Sequence, residues 1–182
     1  MDNHVHLLLS SNRAGQVSRA MRSVGQTYVQ AFNFRHGRSG TLWQGRFKSC
    51  LDSDRYLLTV IRYIELNPVR AAMVVRPEEH RWSSVHSHLG QANDPLLTLH
   101  PVYLTLGHDA VTRASAYTVW LRAGIGEEDL AAVRAHLGQE RALGDKRFQQ
   151  MVERMLNRPA ACRPRGRPKK INVGALNYLR PL

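Results

Sequence analysis

The first part of the chain contains a short apolar run and then apolar residues at helical spacing, which predict a strand followed by a helix. Residues 1–9 form a short run with β-branched and aliphatic side chains, which predicts a buried strand. Between 15 and 36, apolar residues recur every three or four positions, which predicts a helix that ends at Gly37. Aromatic and basic residues alternate over 42–48, which indicates either an extended nucleic-acid-binding segment or an edge strand with a solvated basic face.

The pattern beyond residue 50 is mainly helical. Acidic and serine caps at 52–54 predict a helix that runs to about Asn67 and is stopped by Pro68. After a less regular stretch, helical spacing returns over 99–157. We therefore expect a domain at 1–90, a linker at 91–98, a helical accessory region at 99–157 and a basic, disordered tail at 158–182.

Charge points to a polyanionic partner. The 182 residues include 26 Lys and Arg against 14 Asp and Glu, a formal net charge of +12. Nucleic acid is the usual partner of such a chain, although a merely soluble basic protein is the alternative. The two distant cysteines fit a reducing, cytoplasmic setting, and no apolar run approaches the length of a membrane span.

Two histidines in the predicted first strand form a candidate metal site. Alternate strand residues share a face, so His4 and His6 point the same way, as a pair of imidazole ligands would. The pair alone is weak evidence, because a chain with nine histidines contains a His-x-His by chance easily.

Tyr63 and Asn67 form the second candidate feature. They are four residues apart on the predicted helix and share a face beside the apolar stripe, so we expect both to emerge next to the core. A tyrosine in such a place is commonly a packing residue. Together with the two histidines, however, the amide completes a three-ligand site with the Tyr63 hydroxyl beside it.

Four segments carry a resemblance to a known family. They are Asn3-His4-Val5-His6-Leu7-Leu8, Gly40-Thr41-Leu42-Trp43-Gln44-Gly45-Arg46-Phe47-Lys48, Tyr63-Ile64-Glu65-Leu66-Asn67-Pro68-Val69-Arg70 and Trp82-Ser83-Ser84. In this order the chain resembles the single-tyrosine HUH transposases, of the IS200-like type, and most of all their REP-associated subgroup. The resemblance implies an α+β fold, an antiparallel sheet flanked by helices with the histidines on a central strand.

The resemblance also implies a site and a reaction. It assigns Mg²⁺ or Mn²⁺ to His4, His6 and Asn67, and the nucleophile to Tyr63 rather than Tyr56, which has Val60 in place of a ligand four residues on. Attack on single-stranded or hairpin DNA would form a 5′-phosphotyrosine and free a 3′ hydroxyl, so that strands can be rejoined without ATP. The protein would act as a monomer or a homodimer.

Family members carry a leading segment before the histidine strand. The resemblance therefore leads us to expect an N-terminally truncated chain with the sheet missing its leading strand. Two explanations stay open: Met1 is a misassigned start within a longer reading frame, or the chain is a decayed remnant.

Basic side chains near the motifs are candidate phosphate contacts, with simple solvated charges as the alternative. They are Arg35, Arg38, Arg46, Lys48, Arg62 and Arg70. In the tail, the Arg-Gly-Arg-Pro run that contains Arg165 and Arg167 is similar to an AT-hook, which binds the minor groove of A·T-rich DNA. The alternative is a tail that adds only nonspecific attraction.

Two other functions remain to be weighed against a transposase. A noncatalytic DNA-binding protein, domesticated or truncated, needs the basic surface but not the four site residues together. A hydrolase that activates water needs a carboxylate cluster, whereas Asp2 and Glu65 are isolated in the sequence.

Overall fold

The computed structural model describes residues 1, 3–163 and 166, and α-helices make up most of its regular structure. The helices are α1 (Gln16–His36), α2 (Leu57–Glu65), α3 (Asn67–Arg70), α4 (Val85–His88), α5 (Pro101–Leu104), α6 (Ala110–Arg122), α7 (Glu127–Gln139) and α8 (Lys146–Leu156). Short 3₁₀ turns precede α2 at Asp54–Tyr56 and α4 at Pro77–Glu79. The helices predicted at 15–36 and across 99–157 are confirmed.

The expected antiparallel sheet flanked by helices is wrong for this structure. Within the described part of the chain there is no sheet, and pairing is limited to an isolated parallel bridge between Asp52 and Leu143. Residues 1–9 were expected to form a buried strand, but residues 4–9 run as an arm without regular structure in which Val5 is 67% exposed. A strand needs a neighbour for its N–H and C=O groups, and no described segment pairs with this one.

Pro68 does not end the helical path. The helix α2 ends at Glu65, and after Leu66 the short α3 begins with Pro68 in its first turn. Proline is well tolerated there because the first N–H groups of a helix have no partner within it. The chain therefore continues in nearly helical form, which places Arg70 three residues beyond Asn67 on the same short helix.

Three apolar clusters hold the helices after residue 50 together. The largest joins α2, α4, α5 and α6, the second joins α2 to α7, and the third lies beside α8. The buried members of the first are Leu57, Ile61, Val85, Tyr103, Tyr117 and Leu121. Because residues from both sides of 91–98 share this cluster, α2 is packed directly against the helices of 99–157. The proposed domain boundaries themselves stay a prediction.

The segment before residue 50 is packed much more loosely. The helix α1 has no buried residue, and its main cover is Trp43, whose indole N–H donates to the Gly25 carbonyl at 3.3 Å. A Cβ on Gly25 would lie 3.3 Å from that indole nitrogen, so the close approach suits a glycine. Gly37 ends α1 in the left-handed conformation, at φ 59°, as its position in the sequence predicts.

Two backbone hydrogen bonds, a short clip, join residues 51–53 to Leu143 in the loop between α7 and α8. The Leu143 N–H donates to the Leu51 carbonyl at 2.7 Å, and the Ser53 N–H donates to the Leu143 carbonyl at 2.9 Å. The neighbouring Ala142 N–H donates to the Ala160 carbonyl at 3.0 Å.

None of the helices in the described residues has both the length and the apolar character needed to cross a bilayer.

Candidate nucleotidyl-transfer site

The two histidines of the N-terminal arm lie side by side although the arm is not a strand. The ring centres of His4 and His6 are 4.9 Å apart, and the ring planes are nearly perpendicular. The Nδ1 of His4 is 2.7 Å from the Asn3 side-chain oxygen. With the proton on Nδ1 bonded to that oxygen, the Nε2 lone pair of His4 stays available to an ion.

Tyr63 and Asn67 are more buried than their helical positions predict. The Tyr63 side chain is 7% exposed and Asn67 is 9% exposed, whereas both were expected to emerge beside the core. Tyr63 belongs to the cluster in which α7 contributes Leu130 and Val133. The expectation was wrong because α7 covers the flank of α2 that the apolar stripe alone leaves open.

The arm and the helix pair meet at Tyr63. The His6 ring lies edge-on to the Tyr63 ring at 5.6 Å between centres, and the Arg70 guanidinium carbon lies 4.6 Å from the centre of the same ring. Burial, with contributions from the charges of His4 and Arg70, lowers the pKa of His6 below its ordinary value of 6.5. A neutral imidazole is the form that binds a metal ion.

The donor set fits a divalent ion. Two imidazoles that share an ion at about 2.1 Å from each nitrogen place their ring centres roughly 5 Å apart, close to the separation of His4 and His6. Among the described residues, no group of three or more His, Cys, Asp or Glu side chains could hold an ion. A third protein ligand in this site would therefore be an amide, and Asn67 is the predicted candidate; its Oδ1 accepts a hydrogen bond from Arg70.

A comparison with protein families fits this arrangement. A family model described as transposase IS200-like matches residues 1–67, the stretch that carries both histidines, Tyr63 and Asn67.

Residues 1–67 are thus similar to the IS200-like transposases.

Transposases act on DNA, so the family accounts for the strongly basic composition. No curated protein and no solved structure matched the chain.

The basic residues of the IS200-like stretch divide into two groups. Four of the predicted phosphate contacts are exposed around the end of α1 and in the loop after it, namely Arg35, Arg38, Arg46 and Lys48. Arg38 also stacks over Phe32, at 5.8 Å from the ring centre. These four are available to a polyanion in this structure. Arg165 and Arg167, predicted to bind the minor groove, lie outside the described residues.

Arg62 is not on the surface. It is 5% exposed, its guanidinium carbon lies 3.9 Å from the centre of the Trp120 ring, and its Nη1 donates to the Trp120 carbonyl at 3.0 Å. Burial lowers its pKa from the ordinary value. Arg62 thus joins α2 to α6 in this structure. Because it does not face solvent, it is not available to contact a DNA phosphate as predicted.

Glu65 is the polar residue whose role the sequence reasoning missed. Its fully enclosed carboxylate accepts hydrogen bonds from Ser84 Oγ at 2.7 Å and Tyr117 Oη at 2.7 Å, and it lies 2.6 Å from His88 Nδ1. Leaving a buried polar group without its hydrogen-bond partner costs about 1–3 kcal/mol. Glu65 was treated as isolated because its partners are 19 to 52 residues away.

The network around Glu65 steadies the helix that carries Tyr63. Its three partners come from the Ser84 turn, α4 and α6, and Glu65 lies midway between Tyr63 and Asn67 in sequence. Burial and the neighbouring Glu65 charge raise the pKa of Tyr117 far above its ordinary value, so its hydroxyl remains a donor. The one available signal was the Trp82-Ser83-Ser84 segment, which contributes Ser84.

Proposed function

We propose that this protein is a metal-dependent tyrosine transposase that nicks and joins single-stranded DNA through Tyr63. The observation that carries the proposal is the meeting of His6 with Tyr63, at 5.6 Å between ring centres, on a helix path that presents Asn67 one turn later. These side chains come from segments nearly 60 residues apart, and a chance pair of histidines has no reason to lie against that tyrosine.

The reaction follows from the chemistry of a phenol and a phosphodiester. The Tyr63 Oη attacks phosphorus, the bond from phosphorus to the 3′ oxygen breaks, and the departing oxygen takes up a proton as the phenol loses one. The product is a 5′-phosphotyrosine and a free 3′ hydroxyl. Because the ester bond is conserved on Tyr63, attack by another 3′ hydroxyl rejoins the strand without ATP.

The protein groups around Tyr63 have separate tasks in this proposal. A divalent ion, Mg²⁺ or Mn²⁺, would withdraw charge from the phosphate and align it, with His4, His6 and Asn67 as its ligands. The His6 ring packs edge-on against the tyrosine ring and so lies beside the phenol. The exposed cations at the end of α1 would hold the DNA backbone, which makes binding strongly salt-dependent.

The proposed subgroup and DNA substrate are supported by four sequence segments rather than by the family match. We assign the chain to the REP-associated subgroup, with single-stranded or hairpin DNA as substrate, on the strength of the four segments quoted above. The tail, with Arg165 and Arg167, would add contacts in the minor groove of adjacent duplex.

A covalent-adduct assay tests the proposal. The full chain is incubated with end-labelled, single-stranded hairpin DNA and Mn²⁺, and denaturing gels report a covalent complex. We expect Tyr63→Phe to abolish the complex and keep DNA binding, because only the nucleophilic oxygen is lost. The matched control is Tyr56→Phe, the same change seven residues earlier in the 3₁₀ turn before α2, which we expect to retain the complex.

Two results would contradict the proposal in different ways. A covalent complex that persists in Tyr63→Phe would exclude Tyr63 as the nucleophile. DNA binding by the wild-type chain without any covalent complex, over a range of hairpins and with either ion, would favour the noncatalytic DNA-binding protein instead.

A further inference from the structure

Arg70 contacts both the proposed nucleophile and the proposed third metal ligand. Its Nη2 donates to the Tyr63 carbonyl at 2.5 Å and to the Asn67 Oδ1 at 2.6 Å. Its guanidinium also stacks on the Tyr63 ring, 4.6 Å from the centre. One nitrogen of this side chain therefore holds the amide oxygen that an ion would need.

The other two nitrogens of Arg70 are unsatisfied. Nε and Nη1 are buried and have no hydrogen-bond partner among the described residues, and no described carboxylate forms an ion pair with Arg70. The observed position is thus a poor one for a guanidinium, which gains hydrogen bonds by moving to an oxyanion.

A guanidinium fork has the shape and charge to take a phosphate. Two adjacent N–H groups match two oxygens of a phosphodiester, and such charge-assisted bonds are shorter and stronger than those to a neutral amide. By contrast, Asn67 offers Arg70 a single neutral oxygen. The neighbouring Nδ2 of Asn67 is also buried without a partner in the described chain, so the amide too gains from a rearrangement.

We propose that Arg70 is a latch between two positions: without DNA it occupies the Asn67 amide oxygen, and a DNA phosphodiester draws it away and frees that oxygen as a metal ligand. This inference rests on the proposed function, because it concerns the same site. The latch makes assembly of the metal site depend on substrate. A chain without DNA then binds a divalent ion weakly through its two histidines alone.

The latch predicts opposite effects on metal and DNA binding. Arg70→Gln removes both the competitor for Asn67 Oδ1 and a positive charge beside the site. We expect the full chain with this substitution to bind Mn²⁺ alone roughly ten-fold or more tightly than the wild type, measured from the free Mn²⁺ signal in electron paramagnetic resonance. The same variant should bind single-stranded hairpin DNA several-fold more weakly in the presence of a chelator.

Arg134→Gln is the matched control for charge. Arg134 is exposed on α7 and close enough for its charge to lower the pKa of Arg70, but it does not contact Asn67. We expect its loss to change Mn²⁺ affinity by less than about two-fold. In an Asn67→Ala chain, where no oxygen remains to be released, Arg70→Gln should strengthen Mn²⁺ binding much less than it does in the wild type.

Other outcomes overturn the latch and can be told apart from a failure of the proposed function. Weaker or equal Mn²⁺ binding by Arg70→Gln would show that Arg70 supports the amide rather than competing for it. Arg70→Lys, which keeps the charge but not the fork, repeats the comparison if the glutamine variant unfolds. Should Mn²⁺ binding not depend on His6 in any variant, the proposed metal centre fails as well. The role of Tyr63 is decided separately by the adduct assay.

Discussion

The two regions of the molecule that meet at Tyr63 are held in place very differently. From residue 3 to 50 no residue is buried, and the apolar side chains of the arm and of α1 are largely exposed. From 51 to 163 three apolar clusters and the Glu65 network fix the helices. The proposed nucleophile is therefore rigidly placed, whereas the two imidazoles belong to a weakly held segment.

This difference implies that ordering of the arm, rather than of the helix, limits assembly of the site. Among the described residues, the ring of the core that contacts the His6 ring is that of Tyr63. Fixing the backbone of one free residue costs about 1–2 kcal/mol of conformational entropy. A single ring contact contributes less than the cost of ordering all six residues of the arm. In the DNA-bound chain, an ion that joins His4 and His6 to Asn67 would offset part of this cost.

Hydrogen exchange should show the contrast most strongly. We expect backbone amides of residues 4–9 to exchange almost as fast as in an unfolded peptide, and amides near Tyr63 in α2 to be protected roughly a thousand-fold or more. The reason is that described residues supply no backbone partner for the arm, whereas α2 opens only when its clusters do. Mass spectrometry of peptides from the full chain measures both segments in one experiment.

Addition of Mn²⁺ sharpens the same experiment. If His4 and His6 bind the ion, exchange in the arm should slow while exchange in α2 stays constant, and a His6→Ala chain should lose the response. Protection of the arm equal to that of α2 without any ion would instead show that the arm has a partner in solution, and the contrast between the regions would be wrong.

The sequence predicted the helices better than the sheet, and the physical reason is locality. Helical hydrogen bonds join residues four apart, so the spacing of apolar residues in α1, α6, α7 and α8 was sufficient to find them. A strand, however, is defined by its partner. Residues 4–9 have the composition of a buried strand, but composition cannot supply the neighbouring strand that makes one.

The site was predicted in part for the same reason. The spacing of His4 with His6 and of Tyr63 with Asn67 is local, and the structure brings His6 against Tyr63. The contacts that the sequence did not reveal are long-range: the packing of Trp120 on Arg62, and the bonds from Ser84 and Tyr117 to Glu65. No periodic pattern encodes such contacts, because their partners are set by tertiary packing.

Cys50 lies at the boundary between the two regions and contacts the second one through Arg141. Its Sγ donates to the Arg141 carbonyl at 2.8 Å, and burial, followed by the nearby Asp52 charge, raises the pKa of the thiol to about 12. The thiolate is the reactive form, so at pH 8 we expect alkylation of Cys50 to be roughly a thousand-fold slower in the native chain than in urea. Mass spectrometry of a Cys162→Ser chain treated with iodoacetamide measures this rate.

The pH dependence of this reaction has a definite sign. Because the native pKa of Cys50 is raised, the stability contributed by its neutral thiol is fully present below the ordinary pKa of 9.0 and is lost as the pH rises toward about 12. Alkylation should accelerate about ten-fold per pH unit over this range. Equal rates in the native chain and in urea at pH 8 would mean that the contact between Cys50 and the Arg141 carbonyl is open in solution.

The same substitution at one leucine in each region gives the smallest of these effects and the most direct comparison. Leu57 is buried against Ile61 and Tyr103, so Leu57→Ala leaves a cavity and should lower the free energy of unfolding by about 2–5 kcal/mol. Leu7 is 55% exposed in the arm, and Leu7→Ala should change it by no more than about 0.5 kcal/mol. Urea denaturation followed by circular dichroism measures both. A cost for Leu7→Ala comparable to that for Leu57→Ala would require the arm to be packed against something in solution, and the histidines would then be preordered rather than assembled by the ion.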